Sequence, residues 1–219
     1  SSDVCSSDLS LDAGSGDINV VAAANSFVGA ISLRGTNGTL TVGAAVDLGT
    51  VNLGGTFDLT SNGAITDSGV VHTTGITTLD AGATTNDITL DSVANTFGQL
   101  VVVAADDVVI VEAAATSFGD VASTTLTVTS SGAITQAAGG TGIVLAAAAA
   151  STAASFTAPG FSISLTNVGN DFGAATAITN LRGLNVAITD VDDLELGTDR
   201  KSTRLNSSHI PLSRMPSSA

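Results

Sequence analysis

The sequence predicts an all-β fold, a right-handed parallel β-helix of about 23 residues per coil. Three observations carry that expectation: a long internal repeat, period-two alternation along most of the chain, and an apolar complement of small and branched side chains. The repeat is the strongest. Asn25-Ser26-Phe27 returns as Asn95-Thr96-Phe97 and again as Asn170-Asp171-Phe172-Gly173, at spacings of 70 (95 − 25) and 75 (170 − 95) residues. Landmarks inside the units keep their order. Thr60-Ser61-Asn62-Gly63-Ala64-Ile65-Thr66 reappears as Thr129-Ser130-Ser131-Gly132-Ala133-Ile134-Thr135. Leu11-Asp12-Ala13-Gly14 reappears as Leu79-Asp80-Ala81-Gly82, followed by Asp17-Ile18 and Asp87-Ile88. A fixed period of this kind marks stacked units that share one continuous core.

Alternation supplies the strands. Ile31-Ser32-Leu33, Leu40-Thr41-Val42, Val51-Asn52-Leu53, Phe57-Asp58-Leu59 and Ile88-Thr89-Leu90 each place one face inward and one outward. The second unit continues with Leu126-Thr127-Val128 and Phe161-Ser162-Ile163-Ser164-Leu165, the third with Val186-Ala187-Ile188-Thr189. Gly, Asn, Asp and Thr punctuate these runs as turns require. A 70-residue unit divides into three laps of about 23 residues, each with three short strands and three corners. Roughly eight such laps at about 4.8 Å each make a rod on the order of 40 Å long. Ala146 to Ala154, nearly all Ala, Ser and Thr, is the one helix-favouring stretch and reads as a loop or short helical insertion.

The interior reads as a thin aliphatic channel. Trp and Tyr are absent and Phe is scarce, as expected where rings have little room. An array of immunoglobulin-like sandwiches is the structural rival, but those domains run near 100 residues around an aromatic core.

Both ends differ from the rest. Residues 199–219 hold four of the six basic residues and two of the three Pro, and residues 1–9 carry the single Cys and no landmark. Both resemble translated sequencing-adapter read-through, so they are set aside from the fold. The repeat region is 10–198, divided as a partial unit 10–24, units 25–94 and 95–169, and a truncated unit 170–198. It holds 17 acidic residues (20 less Asp3, Asp8 and Asp199) and two Arg, a net charge of −15. Such a field argues against nucleic acid and anionic membrane as partners. Without Cys in this region there is no disulfide, thiolate nucleophile or thiolate ligand. The most apolar run, Leu100 to Ala115, is broken by Asp106, Asp107 and Glu112, and a membrane-spanning helix needs about 20 apolar residues.

Val46-Asp47-Leu48-Gly49-Thr50, Leu59 to Thr66, Thr77 to Gly82, Asn86 to Leu90 and the degenerate Leu194-Glu195-Leu196-Gly197-Thr198 resemble the repeat region of filamentous-haemagglutinin-like adhesins. The similarity spans residues 10–198. It implies large bacterial proteins, extracellular or on the outer-membrane surface, exported by two-partner secretion or autotransport, whose β-helical shafts serve adhesion. The implied partners are a host or cell-surface receptor or glycan, together with adjacent coils of the same chain.

Site chemistry is sparse. Asp190, Asp192 and Asp193, and the pair Asp106-Asp107, could supply the hard oxygen ligands that calcium takes. Gly14-Ser15-Gly16-Asp17-Ile18 faintly matches the nonapeptide of calcium-binding β-rolls. The competing reading makes each Asp a turn residue that satisfies local backbone groups. A β-helix lyase or hydrolase would need paired carboxylates with aromatic platforms or a basic residue. Residues 10–198 offer no Trp, Tyr or Lys and a single His, His72, which reads as an outward corner residue. No catalytic residue and no cofactor is expected. The function expected is a structural shaft, with a surface glycan- or calcium-binding solenoid as the alternative.

Overall fold

The computed structural model describes residues 8–146, 154–173, 178–192, 194 and 196. The leader 1–7, most of the Ala-rich insertion (147–153), Asp193 and the tail lie outside the described residues.

Parallel strands stacked as a β-solenoid build the whole of the described chain, and no helix occurs among the described residues. None is therefore long and apolar enough to cross a membrane. The first sheet runs β1 (Leu9–Asp12), β3 (Ile31–Gly35), β5 (Val46–Leu53), β7 (Ile65–Asp67), β10 (Ile88–Leu90), β12 (Asp107–Glu112), β14 (Thr125–Ser130), β17 (Ala154–Thr157) and β19 (Ile178–Arg182). The second runs β2 (Ile18–Val20), β4 (Gly38–Val42), β6 (Phe57–Ser61), β9 (Ile76–Asp80), β11 (Gln99–Ala104), β13 (Thr116–Ser123), β15 (Ile134–Gln136), β18 (Ile163–Leu165) and β20 (Val186–Ile188). Two strands lie off these paths: β8 (Val71–Thr73) pairs with β5, and β16 (Ile143–Leu145) pairs with β13.

The lap is shorter than the sequence suggested, roughly 20 residues instead of 23. The reason lies in the topology. The chain alternates between sheets at every strand except β7–β8, both in the first, and β15–β16, both in the second. One 70-residue unit therefore holds an odd number of sheet crossings and spans three and a half laps. Equivalent elements of successive units fall on opposite sheets. β5 and β13 are both eight residues long, lie 70 positions apart (116 − 46), and each pairs with two successive strands. The Asp-Ile landmark shows the same switch, with Ile18 in the second sheet and Ile88 in the first. A lap thus has two faces, not the three expected.

Register makes the core. Ile65, Ile88, Val108, Leu126, Ala154 and Ile178 stack one above another in the first sheet, all buried. Leu40, Leu59, Leu79, Val102, Val121 and Ile143 form the matching column in the second. Each Val, Leu or Ile in these columns contributes about 1.5–3 kcal/mol through burial. The alternation that predicted strands is the alternation that fills these columns.

One expectation about the interior fails. Five of the seven Phe rings (Phe57, Phe97, Phe118, Phe156 and Phe172) are buried inside the solenoid. Phe156 and Phe172 meet edge to face at 6.1 Å. Small neighbours make room for two of the rings, Gly38 opposite Phe57 and Ala154 and Ala158 flanking Phe156, while Phe118 stacks on Leu100.

Candidate functional site

The repeated landmarks are the natural place to look for chemistry, and the structure uses them to join one lap to the next. Asn95 is fully buried. Its Oδ1 accepts a hydrogen bond from the Val71 N–H at 2.8 Å, and its Nδ2 donates to Asp67 Oδ2 at 2.6 Å. Asp67 also accepts from the N–H groups of Asp91 and Ser92, so one carboxylate orders the loop on the adjoining lap. Asn170 repeats the arrangement. It accepts from the Ile143 N–H at 2.9 Å, and its amide pairs with the Gln136 amide in both directions, at 2.7 and 3.0 Å. Gln136 stands where Asp67 stood. Asn25 is only half-buried, and its amide donates to Thr41 O at 3.1 Å.

The other motifs have similar duties. The hydroxyls of Ser61 and Ser130 are buried and donate across the stack to Ala44 O and Ala114 O. Two residues on, Gly63 and Gly132 approach the adjoining lap closely. A Cβ at either would lie 2.4 Å from Ala45 N or 2.6 Å from Ala115 N. Asp12 and Asp80 accept from the N–H groups of Gly14 and Gly82, both at 2.8 Å, with the glycines at φ 61 and 79. That is the Asx-turn chemistry expected of Asp before Gly. The Gly14 N–H, and after it Arg34, hold the Asp12 carboxyl below its usual range. The Arg34–Asp12 ion pair, 3.0 Å long, is exposed on both sides and contributes little.

The calcium candidates lie in different settings. Asp17 Oδ1 accepts from the backbone N–H and side-chain amide of Asn37, so it works as a corner residue. Asp107 accepts from the Thr125 hydroxyl, and its own N–H donates to Asp87. Asp190 and Asp192 do come together, and the third member of their group is Asp171. One oxygen of each lies within 4.8 Å of the others. Asp193 lies outside the described residues. Asp190 Oδ1 already accepts from the Phe172 and Val191 N–H groups at 3.3 and 2.9 Å, and Asp171 Oδ1 from the Gly173 N–H. Burial, then the charges of Asp192 and Asp171, raise the Asp190 carboxyl above its ordinary range despite these bonds. Asp171 is the acidic variant of a position held by Ser26 and Thr96 in the other copies, and only the stacking brings it beside Asp190 and Asp192. His72 is exposed on β8, on a strand and not at a corner, with its Nδ1 2.5 Å from Thr96 Oγ1.

Glu112 was overlooked. It ends β12 with its side chain inward, 1% exposed. Its Oε1 accepts from the Phe97 N–H at 2.9 Å, while Oε2 and the nearby Thr116 Oγ1 have no hydrogen-bond partner. Burial raises its carboxyl above the ordinary value, outweighing the Phe97 N–H that bonds to it. Its signal was positional: the alternation Val108, Ile110, Glu112 points the carboxylate into the core. Asp190 takes the same place one unit later, since it too accepts from the N–H of the landmark Phe.

The sequence model of a family described as repeats of unknown function (DUF5649) matches residues 35–104 and 105–179. No curated protein and no solved structure matches the chain. The two matched stretches adjoin and repeat the spacing of the landmarks, 70 (104 − 35 + 1) and 75 (179 − 105 + 1) residues. Together they cover more than half of the 219 residues, and the chain belongs to this family of repeats.

Proposed function

We propose that these repeats form a shaft segment of a large secreted or surface-exposed bacterial adhesin, extending or presenting the part that adheres. One observation carries the reading. The recurrent landmarks (the Asn of Asn-x-Phe, Ser-x-Gly-Ala-Ile-Thr and Asp-Ala-Gly) are spent on bonds within or between laps, so what the repeat preserves is stacking. The resemblance to filamentous-haemagglutinin-like repeats supports the adhesin setting and an extracellular or outer-membrane location. The lone His among the described residues lies outward beside a Thr hydroxyl, which gives no basis for a hydrolase or lyase. A second reading, a surface module that takes calcium or a glycan, draws on the Asp171, Asp190 and Asp192 group.

The test uses cells that display the parent protein. Deleting residues 35–104 removes three and a half laps and shortens the rod by about 17 Å. Adhesion should persist with a shorter reach. Loss of adhesion on replacing Asp171 and Asp192 with Asn, with the fold intact, would instead put the binding surface in this segment and overturn the shaft reading.

A further inference from the structure

Asn followed by Gly occurs twice in the chain, at Asn37-Gly38 and Asn62-Gly63. In such a pair the Asn amide carbon lies within reach of the next backbone nitrogen, and Gly has no side chain to shield that nitrogen. The solenoid puts the two pairs in opposite settings.

Asn37 is held at every atom such a reaction would use. Its Nδ2 donates to Asp17 Oδ1 at 2.9 Å, and its Oδ1 accepts from the Thr56 N–H at 2.9 Å and the Thr56 hydroxyl at 3.3 Å. The Gly38 N–H donates to Thr56 O at 2.9 Å, and Gly38 is buried. Asn62 instead stands exposed at the corner between β6 and β7. Neither its side-chain amide nor the Gly63 N–H has a hydrogen-bond partner among the described residues. The residue beside it on the next lap is Gly82, which brings no side chain against the amide. One unit later the corner is closed differently: Ser131 replaces Asn, and the Gly132 N–H donates to Ser130 Oγ at 3.2 Å.

We propose that Asn62-Gly63 is a site of spontaneous covalent modification, at which the folded solenoid converts Asn62 to aspartate and isoaspartate while Asn37 is preserved. The Gly63 nitrogen gives up its proton to hydroxide and attacks Asn62 Cγ. The new C–N bond closes a five-membered succinimide, the Cγ–Nδ2 bond breaks, and Nδ2 leaves as ammonia with a proton from water. A water molecule then opens the ring at one of its two carbonyls. Opening at Cγ restores the ordinary backbone and leaves an aspartate side chain. Opening at the backbone carbonyl leaves isoaspartate, with the side-chain methylene now in the main chain. The sum is hydrolysis of one amide, so water is the only reagent.

Stacking keeps the site reactive for as long as position 62 is Asn. Gly63 cannot be exchanged for a shielding residue, because a Cβ there would meet Ala45 N at 2.4 Å. The product also bears on the fastening beside it. Ser61 Oγ donates to both Ala44 O and Gly63 O, and isoaspartate lengthens the main chain inside the span those bonds close.

The test ages the full chain at pH 8, folded and in guanidinium, and follows each Asn by pepsin digestion and mass spectrometry. In guanidinium both pairs are free and should react at similar rates. In the folded chain Asn62 should gain the deamidation mass at least about tenfold faster than Asn37, which must first release its hydrogen bonds. A folded-state ratio no greater than the ratio in guanidinium would overturn the proposal. This comparison needs wild type alone. Asn62→Ser, which installs the residue of the second unit, should abolish the fast gain, and a fast gain that persists would overturn the assignment to this corner.

Discussion

β5 and β13 hold the same place in successive units, yet their interiors differ. β5 turns Val46, Leu48, Val51 and Leu53 inward, and β13 turns Thr116, Phe118, Val121 and Ser123 inward, all of them buried. Length and double pairing are unchanged, and the sheet is the opposite one. The architecture therefore depends on the alternation and on the lap-to-lap fastenings, while the identity of the inward residue is free to drift. Drift has a cost: the orphaned polar atoms lie in the second unit, at Glu112, Thr116 and Ser123. The two strands thus separate what specifies the fold from what stabilises it.

The largest expected effect comes from forcing the second interior onto the first. Leu53→Ser puts the residue of position 123 into the apolar strand, and should destabilise by about 3–5 kcal/mol in urea unfolding, as cavity-forming Leu truncations do. A cost below about 1 kcal/mol would mean the β5 interior is loosely packed. Next comes the Asn series. Asn95→Ala and Asn170→Ala each leave a buried N–H, of Val71 or Ile143, without its acceptor and should cost about 2–3 kcal/mol. Asn25→Ala, at a half-buried position, should cost under about 1 kcal/mol. Equal losses at all three sites would contradict the assigned fastening role. Third, the double change Glu112→Val and Thr116→Val restores the first unit's chemistry to the second. It should stabilise by about 1–3 kcal/mol at neutral pH, by removing groups left unpartnered, and by less in acid. The smallest effect belongs to Asp190→Asn. Asn retains the acceptor for Phe172 and Val191 and removes the repulsion from Asp192 and Asp171. Because the folded carboxyl is raised, the gain should appear as pH climbs past 3.8 and vanish below it. Solvent screening keeps it under about 0.5 kcal/mol. Thermal melts at pH 3 and pH 7 would show it.

Legibility followed periodicity. The solenoid, its parallel laps and the inward residues of Ile31-Ser32-Leu33 or Leu126-Thr127-Val128 were readable because alternation and repeat are one-dimensional signals. The lap length was not, since identical landmarks say nothing about which sheet they join, and three laps or three and a half fit 70 residues equally well. Asp12, Asp80 and Asp17 were readable as turn residues from their Gly and Ile neighbours. Asp171 joined Asp190 and Asp192 only through the stack, across a separation of 19 residues (190 − 171). Glu112 was hidden because a charged residue ending an alternating run suggests solvent, and only the adjoining Phe97 N–H explains why it faces inward.

The half-lap offset has a consequence for a longer array. Equivalent outward side chains alternate between the two faces from one unit to the next, so a regular tandem would present the same surface on both sides of the rod, with a period of two units.

Parallel stacking in register is tested most directly by a cross-link between facing laps. Thr66 of β7 and Thr89 of β10 are register partners on neighbouring laps, both directed away from the core. Replacing both with Cys, with Cys5 changed to Ser, places two thiols at the strand spacing of about 4.8 Å, within disulfide reach. Mild oxidation of the folded, dilute chain should give a near-quantitative intramolecular disulfide that leaves the circular dichroism unchanged. Thiols that stay free, or that close only after unfolding, would contradict the stack.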